Sequence, residues 1–482
     1  MADTNPPSKK PRIEDNVPPP VFSSTQELSQ GSQVNKTRYD NLVSSFEKKY
    51  GRKPDFLARA PGRVNIIGEH IDYCGYGVLP MAIEQDVTIA CSTNNRGELR
   101  FGNVNNTQYP DHTCPVEGFT IDGHTWYNYL LCGFKGIVES LNLSSPIGMD
   151  LLVDGNIPPS AGLSSSSALV CCAALTTAFA NHKVDLPSKK DFAELCAKCE
   201  RYIGTEGGGM DQAISFLGAE SKALMIEFNP IRPTEVQVPQ GVQFIIANSL
   251  VLENKAASSA QFNVRVAECR LSAQVIAKVK GKDWRQVRKL LTLQESLGLP
   301  LSEMAGVVHD VLHPGEYTRE ELCKILEISD EELQSECLNE KTRSVGSFKL
   351  HDRALHVFEE AYRVYIFKDT ANTAGGDTNI PETLGTLMDN SHKSCSELYQ
   401  CSCTELDELV AVSKSASALG SRLTGAGWGG CTVSLVAEEN VEAFLETVQA
   451  GYYEKDSARM GNLATSLFST QPGHGAALCN LN

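Results

Sequence analysis

The stretch PPSAGLSSSSALVCC, residues 158–172, decides the fold because it joins a polar loop to an apolar helix. Two prolines, a glycine and four consecutive serines lead directly into small apolar residues. A flexible linker does not fit, because residues 168–175 have the pattern of a buried helix. A hydrolase nucleophile does not fit either, because the second glycine of G-x-S-x-G is missing.

Two interpretations of this stretch remain open. One is a well-capped core helix without a ligand, and the other is an anion site. The first helical turn offers unpaired N–H groups, the helix dipole adds partial positive charge, and serine hydroxyls add donors. The G-x-x-x-x-G-K-[ST] motif and the protein-kinase motifs are absent from the sequence, so a P-loop enzyme and a protein kinase are disfavoured.

A second polar cluster lies upstream, in RAPGRVNIIGEHIDY, residues 59–73. A strand that ends at a glycine is expected to deliver Glu69, His70 and Asp72 into one turn, with Arg63 nearby. Two carboxylates and an imidazole can hydrogen-bond several hydroxyls of a sugar. A metal site and a purely structural polar turn remain the alternatives.

Two glycine-rich clusters lie downstream. In ERYIGTEGGGMDQ, residues 200–212, three glycines permit close approach by a ligand, and Asp211 beside Arg63 is a workable proton acceptor. Glu200, together with a serine, is a candidate Mg²⁺ ligand. The stretch RLTGAGWGGC, residues 422–431, indicates a tight loop.

Composition narrows the class of protein. The net charge of −16 over 482 residues argues against general nucleic-acid binding. The sequence shows no signal peptide, and its longest apolar run is far below the roughly twenty residues that a membrane span needs. We therefore expect a cytoplasmic protein whose 16 cysteines, including Cys196 and Cys199, are reduced thiols.

The periodicity pattern predicts an α+β protein. Residues 1–36 are proline-rich and polar and are expected to form a disordered tail that carries the basic cluster at 9–12. Two domains follow, at 37–240 and 241–482. Strands are predicted at 62–68, 86–92, 149–154, 222–228 and 242–247. Helices are predicted near 38–50 and at 190–203, 257–280, 383–399, 404–419 and 440–452.

Taken together and in this order, the clusters resemble the motifs of the GHMP small-molecule kinases. GRVNIIGEHIDY resembles the galactokinase signature, PPSAGLSSSSA resembles the phosphate loop, and LTGAGWGG resembles the third motif. The resemblance implies an N-terminal domain like ribosomal protein S5 domain 2 and a ferredoxin-like C-terminal domain, with the active site in the cleft between them. It also implies transfer of the γ-phosphate of MgATP to the anomeric hydroxyl of a galactose-type sugar.

The resemblance assigns roles to the matching positions. Asp211 would be the catalytic carboxylate, and Arg63 would stabilise charge beside it. The implied sugar-binding residues are Arg63, Glu69, His70, Asp72, Gly209, Asp211 and Phe262. The implied ATP-binding residues are Gly162, Leu163, Ser164, Ser165, Ser166, Ser167, Trp126, Gly425 and Gly427. Ser166 and Glu200 would hold Mg²⁺.

Some residues depart from the usual galactokinase pattern. Phe262 replaces a tyrosine, and glycines at 207–209 replace a bulkier Cys-Gly-Ile; Ile71 and Cys74 also differ. These departures resemble the N-acetylgalactosamine kinase branch, which implies N-acetylgalactosamine as the preferred acceptor and galactose as a weaker one. The alternatives are a galactokinase proper and a non-catalytic sugar sensor that regulates transcription. We expect a monomer that binds sugar and ATP, with no nucleic-acid or membrane partner.

Overall fold

The computed structural model describes residues 16–159, 161–181, 185–204, 207–251, 255–373 and 379–481. The basic cluster at residues 9–12 lies outside this part of the chain. The remainder of the predicted tail is corrected by the structure, because regular elements begin at Val21. Val21 pairs with Leu478 in a sheet, and Ser24 and Ser32 cap the first two helices, so residues 21–36 are held by backbone and capping hydrogen bonds.

The strands of the described chain alternate with helices in a mixed order. They are β1 (Val21–Phe22), β2 (Phe56–Ile67), β3 (Leu79–Asn94), β4 (Glu98–Asn103), β5 (His112–Pro115), β6 (Gly148–Gly155), β7 (Lys222–Glu227), β8 (Arg232–Gln237), β9 (Val242–Asn248), β10 (Glu316–Thr318), β11 (Ser347–Lys349), β12 (Gly420–Thr424), β13 (Cys431–Ala437), β14 (Leu467–Thr470) and β15 (Ala477–Asn480). All five strands predicted from the sequence are confirmed.

The predicted helices are also confirmed, with boundaries shifted by a few residues. The helices are α1 (Thr25–Leu28), α2 (Gln33–Tyr50), α3 (Trp126–Ser140), α4 (Ser165–Asn181), α5 (Lys189–Cys199), α6 (Met210–Leu217), α7 (Lys255–Val279), α8 (Leu290–Leu297), α9 (Met304–Val311), α10 (Arg319–Leu326), α11 (Asp330–Glu332), α12 (His351–Ala371), α13 (Ile380–Ser394), α14 (Thr404–Ser415), α15 (Val441–Val448), α16 (Ser457–Met460) and α17 (Leu463–Ser466). Short 3₁₀ and π turns extend several of them.

Two large sheets organise the molecule and confirm the α+β class. The first has the order β1-β15-β2-β3-β6-β4-β5, and the second has the order β12-β13-β9-β14. In chain order, the first strand of the second sheet is β9, and the division at residue 241 stays a prediction. The last strand departs from that division, because β15 pairs antiparallel with β2 and returns the chain end to the first sheet.

Helix α4, which follows the serine run, is buried on nearly all of its surface. It packs on β2 and β3 and against α3. The α3–α4 approach is close, since a Cβ added at Gly133 of α3 would lie 2.5 Å from the Val170 carbonyl oxygen. A helix that is apolar all round needs such enclosure, so the serine loop is anchored to the core of the first domain.

All 16 cysteines lie in the described chain as free thiols, as expected from the sequence. Cys196 and Cys199 are buried on α5. Among the described helices, none combines the length and the apolar character required to cross a membrane.

Candidate active site

The sequence clusters meet through their backbones. A Cβ added at Gly62 would lie 2.8 Å from the carbonyl oxygen of Leu163 in the serine loop. On the other side of this loop, a Cβ at Gly162 would lie 2.9 Å from the Thr424 oxygen, and one at Gly425 would lie 2.6 Å from the Gly162 oxygen. Gly162 and Gly425 also have φ of +72° and +87°. Glycine is needed at these positions because a side chain would separate the loops.

A cavity of about 290 Å³ lies where the loops converge. We call it the sugar cavity after the sugar-binding residues that the sequence predicts, and its lining combines residues from both sides of the predicted boundary at residue 241. They are Arg63, Glu69, His70, Asp72, Tyr73, His124, Tyr129, Ser166, Glu200, Gly204, Gly207, Gly208, Gly209, Met210, Asp211, Gln212, Phe262, Asn263, Gly425 and Ala426. Every residue predicted to bind the sugar lines this cavity, as do both predicted Mg²⁺ ligands.

Asp211 and Arg63 form an ion pair in this cavity. Arg63 Nε donates to Asp211 Oδ1 at 2.7 Å, and an Nη1 hydrogen bond goes to the Gly162 carbonyl. The arginine is almost fully buried, whereas the Asp211 side chain keeps 27% of its surface exposed. Asp211 lies in the first turn of α6, where its second oxygen is 3.4 Å from Ser167 Oγ. The carboxylate is therefore oriented by the protein and still accessible to a ligand.

Asp72 lines the same cavity from the loop between β2 and β3. Burial raises the pKa of Asp72 to about 6, and the nearby charge of Asp211 acts in the same direction. Gly208 lies directly against this carboxylate, because a Cβ at Gly208 would be 2.1 Å from Asp72 Oδ2. When ionised, this carboxylate can accept hydrogen bonds from the cavity, and its position depends on a glycine neighbour.

Glu69 connects the first cluster with the third. Its Oε1 accepts from the Gly425 backbone N–H at 2.7 Å and from Arg422 Nη1 at 3.4 Å. Its Oε2 accepts from Asn65 Nδ2 at 3.0 Å. Oε1 therefore has both of its lone pairs engaged, whereas Oε2 has one lone pair left. Glu69 thus holds the two loops together and retains acceptor capacity at Oε2 alone.

His70 is engaged at both ring nitrogens. Nε2 lies 2.9 Å from the Ala426 carbonyl, which can only accept, so Nε2 carries the proton and Nδ1 accepts from Tyr73 Oη at 2.9 Å. Burial lowers the pKa of His70 to about 3. His70 has φ of +63°, and its ring lies against Phe262 with centroids 5.7 Å apart. The neutral imidazole therefore shapes the cavity wall, and both of its nitrogens are bonded to protein atoms.

Glu200 faces the sugar cavity with an unpartnered oxygen. Its Oε1 is buried and has no hydrogen-bond partner among the described residues. Burial raises the pKa of Glu200 to about 7. A carboxylate beside serine hydroxyls, with one oxygen unused, is the donor type that Mg²⁺ takes when phosphates and waters complete its shell. Within the described chain, no cluster of three His, Cys, Asp or Glu residues has metal-binding geometry.

The serine loop ends in a left-handed residue before α4. Ser164 has φ of +60°, and its buried Oγ has no partner among the residues that the structure describes. The first helical hydrogen bond runs from the Ala168 N–H to the backbone carbonyl oxygen of Ser164 at 2.9 Å. The N–H groups of Ser165, Ser166 and Ser167 are consequently the donors at the start of the helix, as an anion site requires.

Trp126 lies at the start of α3 and outside the sugar cavity. Its indole N–H donates to the Pro110 carbonyl at 3.1 Å, and its ring meets Tyr109 edge-on at 6.0 Å. Its assignment to the adenine pocket stays a prediction. Gly427 also lies outside the cavity; a Cβ there would be 2.0 Å from the Cys401 carbonyl oxygen, so this glycine is required by packing.

Three protein-family models match the chain in the segments that build this site. The galactokinase galactose-binding signature covers residues 44–93, the GHMP kinase N-terminal domain covers 128–219, and the GHMP kinase C-terminal domain covers 378–454. A galactokinase of Dictyostelium discoideum is 40% identical over 95% of this chain and 97% of that protein. A galactokinase of Saccharomyces cerevisiae is 31% identical over 98% of this chain and 100% of that protein.

The chain belongs to the GHMP kinase family, in its galactokinase subfamily. The crystal structure of Lactococcus lactis galactokinase complexed with galactose is similar to it with a TM-score of 0.66, at 25% identity over 91% of this chain and 99% of that one. The mevalonate kinase of Methanococcus jannaschii shares the fold at 18% identity, with a TM-score of 0.50 over 87% of this chain and 98% of that one. This GHMP kinase is therefore an ATP-dependent phosphotransferase with an alcohol group as acceptor, as the sequence predicted.

The sequence analysis missed a buried charge network behind the sugar-binding turn. Arg422 is fully buried and donates from Nη1 to the Asn65 carbonyl at 3.1 Å and from Nε to Ser391 Oγ at 3.1 Å. Glu360 Oε1 accepts from Ser391 and from the Gly68 backbone N–H, the latter at 2.8 Å. The arginine in RLTGAGWGG was visible in the sequence, whereas Glu360 lies in a helix that carries no motif.

Proposed function

We propose that this kinase transfers the γ-phosphoryl group of ATP to the anomeric hydroxyl of a galactose-configured sugar. The observation that carries the proposal is the Arg63–Asp211 pair at 2.7 Å, inside a cavity shared by the sugar-signature turn and the serine-loop helix. Phosphoryl transfer requires chiefly that an acceptor and a donor be positioned in line and that developing charge be stabilised. The two loops that meet here supply one half of that arrangement each.

In this proposal, the sugar O1 lies against Asp211. The carboxylate takes the hydroxyl proton as the O1–Pγ bond forms and the bond from Pγ to the β-phosphate oxygen breaks, which releases ADP. Arg63 orients Asp211 and places positive charge near the reacting oxygens. Asp72 and the turn held by Glu69 accept hydrogen bonds from hydroxyl groups of the sugar. Backbone N–H groups at 165–167 bind phosphate oxygens.

Glu200 and Ser166 would hold Mg²⁺ on the phosphate side of the cavity. The unpartnered Glu200 oxygen supports this assignment. Mg²⁺ supplies neutralisation of phosphate charge when it is bound. The protein side of the site contributes a carboxylate, a hydroxyl and the helix N-terminus, whose partial positive charge favours the same anion.

Galactose is the acceptor that the names of the relatives support best, because the matched proteins are galactokinases. A second candidate acceptor, N-acetylgalactosamine, is favoured by one feature of the cavity. Glycines at 207–209 leave one wall without side chains, and nothing lies within 4 Å of a Cβ added at Gly207. Such space suits a sugar with a larger substituent, and an enlarged pocket often still admits the smaller sugar.

Initial rates of ADP release test both candidates. Galactose, N-acetylgalactosamine, glucose and mevalonate are compared with MgATP. A kcat/KM highest for one of the two galactose-configured sugars supports the proposal, and the ratio between them identifies the acceptor. Turnover of mevalonate alone would refute the sugar assignment.

Phe262→Tyr is the companion variant. A phenolic hydroxyl beside His70 is expected to raise the use of galactose relative to N-acetylgalactosamine. An unchanged ratio would remove Phe262 from the specificity argument. A non-catalytic sensor would bind sugar and ATP without releasing ADP, so the same assay tests that alternative.

A further inference from the structure

A second cavity adjoins the sugar cavity and shares part of its lining. It measures about 740 Å³, and Asp72, Tyr73, Gly204 and the glycines at 207–209 line both spaces. We call it the lateral groove. Its volume lies in the range of small-molecule sites, and it extends from the sugar cavity along α5 and α7 to the start of α8.

Positive charge dominates the lateral groove. Lys198, Arg201, Arg270 and Lys289 line it, against the acidic Asp72 and Glu194. The chain as a whole carries a net charge of −16, so the excess of basic residues here is contrary to the average composition. Clustered charge of one sign in a concave surface concentrates ligands of the opposite sign.

Ion pairing leaves much of this charge available. In the described part of the chain, Lys198, Arg201 and Lys289 form no ion pair with a carboxylate, whereas Lys222, Lys278 and Lys455 elsewhere each do. Phe228, Ile231 and Val266 supply an apolar wall beside the cations. Basic side chains next to an apolar wall suit a small organic anion better than a bare cation or a neutral sugar.

We propose that the lateral groove binds the oxyanion of an anionic sugar, such as a phosphate, sulfate or carboxylate carried away from C1, while the ring occupies the sugar cavity. The proposal rests on the function proposed above and adds a class of ligand to it. The two cavities share six lining residues, and the proposal requires that one molecule contact both. A free anion would use the cations alone and would gain nothing from Asp72.

Isothermal titration of the full-length chain tests this proposal. Galactose 6-phosphate and galacturonic acid are the anionic probes, galactose is the neutral reference, and inorganic phosphate is the free-anion arm. We expect at least one anionic sugar to bind about tenfold tighter than galactose at low salt, to be displaced by galactose, and to lose that advantage in high salt.

The double variant Lys198→Gln/Arg201→Gln removes two of the groove cations. It should weaken the anionic sugar about three- to tenfold, in keeping with charge-assisted contacts at a partly exposed site. Galactose affinity should be unchanged. Lys48→Gln is the matched control, because Lys48 is exposed on α2 and lines none of the cavities described here.

Three results would overturn the proposal. They are equal affinity for neutral and anionic sugars, no effect of the double variant, and inorganic phosphate binding as tightly as the anionic sugars with the same sensitivity to the variant. ADP release with galactose and N-acetylgalactosamine is measured on the same preparations. Turnover with these sugars but no preference for the anionic probes refutes the groove ligand and leaves the kinase proposal intact.

Discussion

Replacing Gly208 by alanine adds one methyl group at the closest contact between the triple-glycine loop and the sugar-binding turn. The new Cβ would lie 2.1 Å from Asp72 Oδ2 and 2.3 Å from Asp72 Cγ. Ordinary contact begins at 3.4 Å, so the carboxylate would have to retreat by about 1.3 Å. That displacement is larger than the tolerance of a hydrogen bond. The variant should therefore lose the contact between Asp72 and the sugar without touching the nucleotide side of the cavity.

The expected rise in KM for the sugar follows from the hydrogen bond that is lost between Asp72 and the sugar. A hydrogen bond to a charged group contributes about 1.5–3 kcal/mol, which corresponds to roughly a 10- to 150-fold rise in KM for the sugar. KM for ATP should change by less than about twofold. Initial rates of ADP release at varied sugar and at varied ATP measure the two constants separately.

Gly207→Ala is the matched control for the same loop. A Cβ at this position would meet nothing within 4 Å, so the variant should behave like the wild type. A similar rise in KM for both variants would attribute the effect to loop stiffness. A wild-type KM for the sugar in Gly208→Ala would refute the role of Asp72 as a hydrogen-bond acceptor for the sugar.

Three further predictions concern the acid, the titration of the site and the buried network. Asp211→Asn keeps the size of the side chain and an oxygen that can accept from Arg63. It should lower kcat by about 10²–10⁴-fold, while the affinities for sugar and ATP measured by calorimetry stay within about threefold of the wild type. A near-normal kcat would contradict proton transfer to Asp211. The pKa of Asp72 is raised to about 6 in the folded protein, so the folded state binds this proton more tightly than the unfolded chain, and the free energy of unfolding falls as pH rises from about 4 to about 6. Between pH 4.5 and pH 7, denaturant unfolding of Asp72→Asn should therefore show a decrease about 2 kcal/mol smaller than that of the wild type. Parallel pH profiles of the two proteins would refute this prediction. Arg422→Met should lower the free energy of unfolding by about 3–5 kcal/mol, because Glu69 is left buried without its cation. Adding Glu69→Gln to this variant should restore part of the lost free energy, and purely additive changes in the free energy of unfolding would exclude the pairing.

The local pattern was sufficient for five of the fifteen strands that the structure describes and for several long helices. Apolar periodicity gave the five strands, and the run from residue 168 onward gave the buried helix α4. Short-range spacing also placed Glu69, His70 and Asp72 in one turn, because a strand that ends at a glycine leaves few positions for the next four residues. These features depend on residues that are close together in the chain, and the order of such residues can be read directly from the sequence.

Contacts between distant segments could not be read in this way. Residues 21–36 have the composition of a tail, yet β1 pairs with β15, which comes from the other end of the chain. Arg422 likewise donates to the carbonyl of Asn65, a residue from the first cluster, at 3.1 Å. In each case the deciding partner is far away in sequence, and composition carries no information about it.

By itself, the sequence determined which residue types stand at the predicted site: an acid at 211, an arginine at 63, a polar turn at 69–72 and a serine-rich helix start. Only the tertiary structure decided how each of them is used. Glu69 and His70 are bound mainly by protein partners, and Glu200 has a buried oxygen without a partner among the described residues. Basic residues on α5 and α7, just after α5 and just before α8, gather in the lateral groove. The reason is physical: a residue type sets which hydrogen bonds and charges are possible, whereas burial and the approach of remote backbone set which of them remain available.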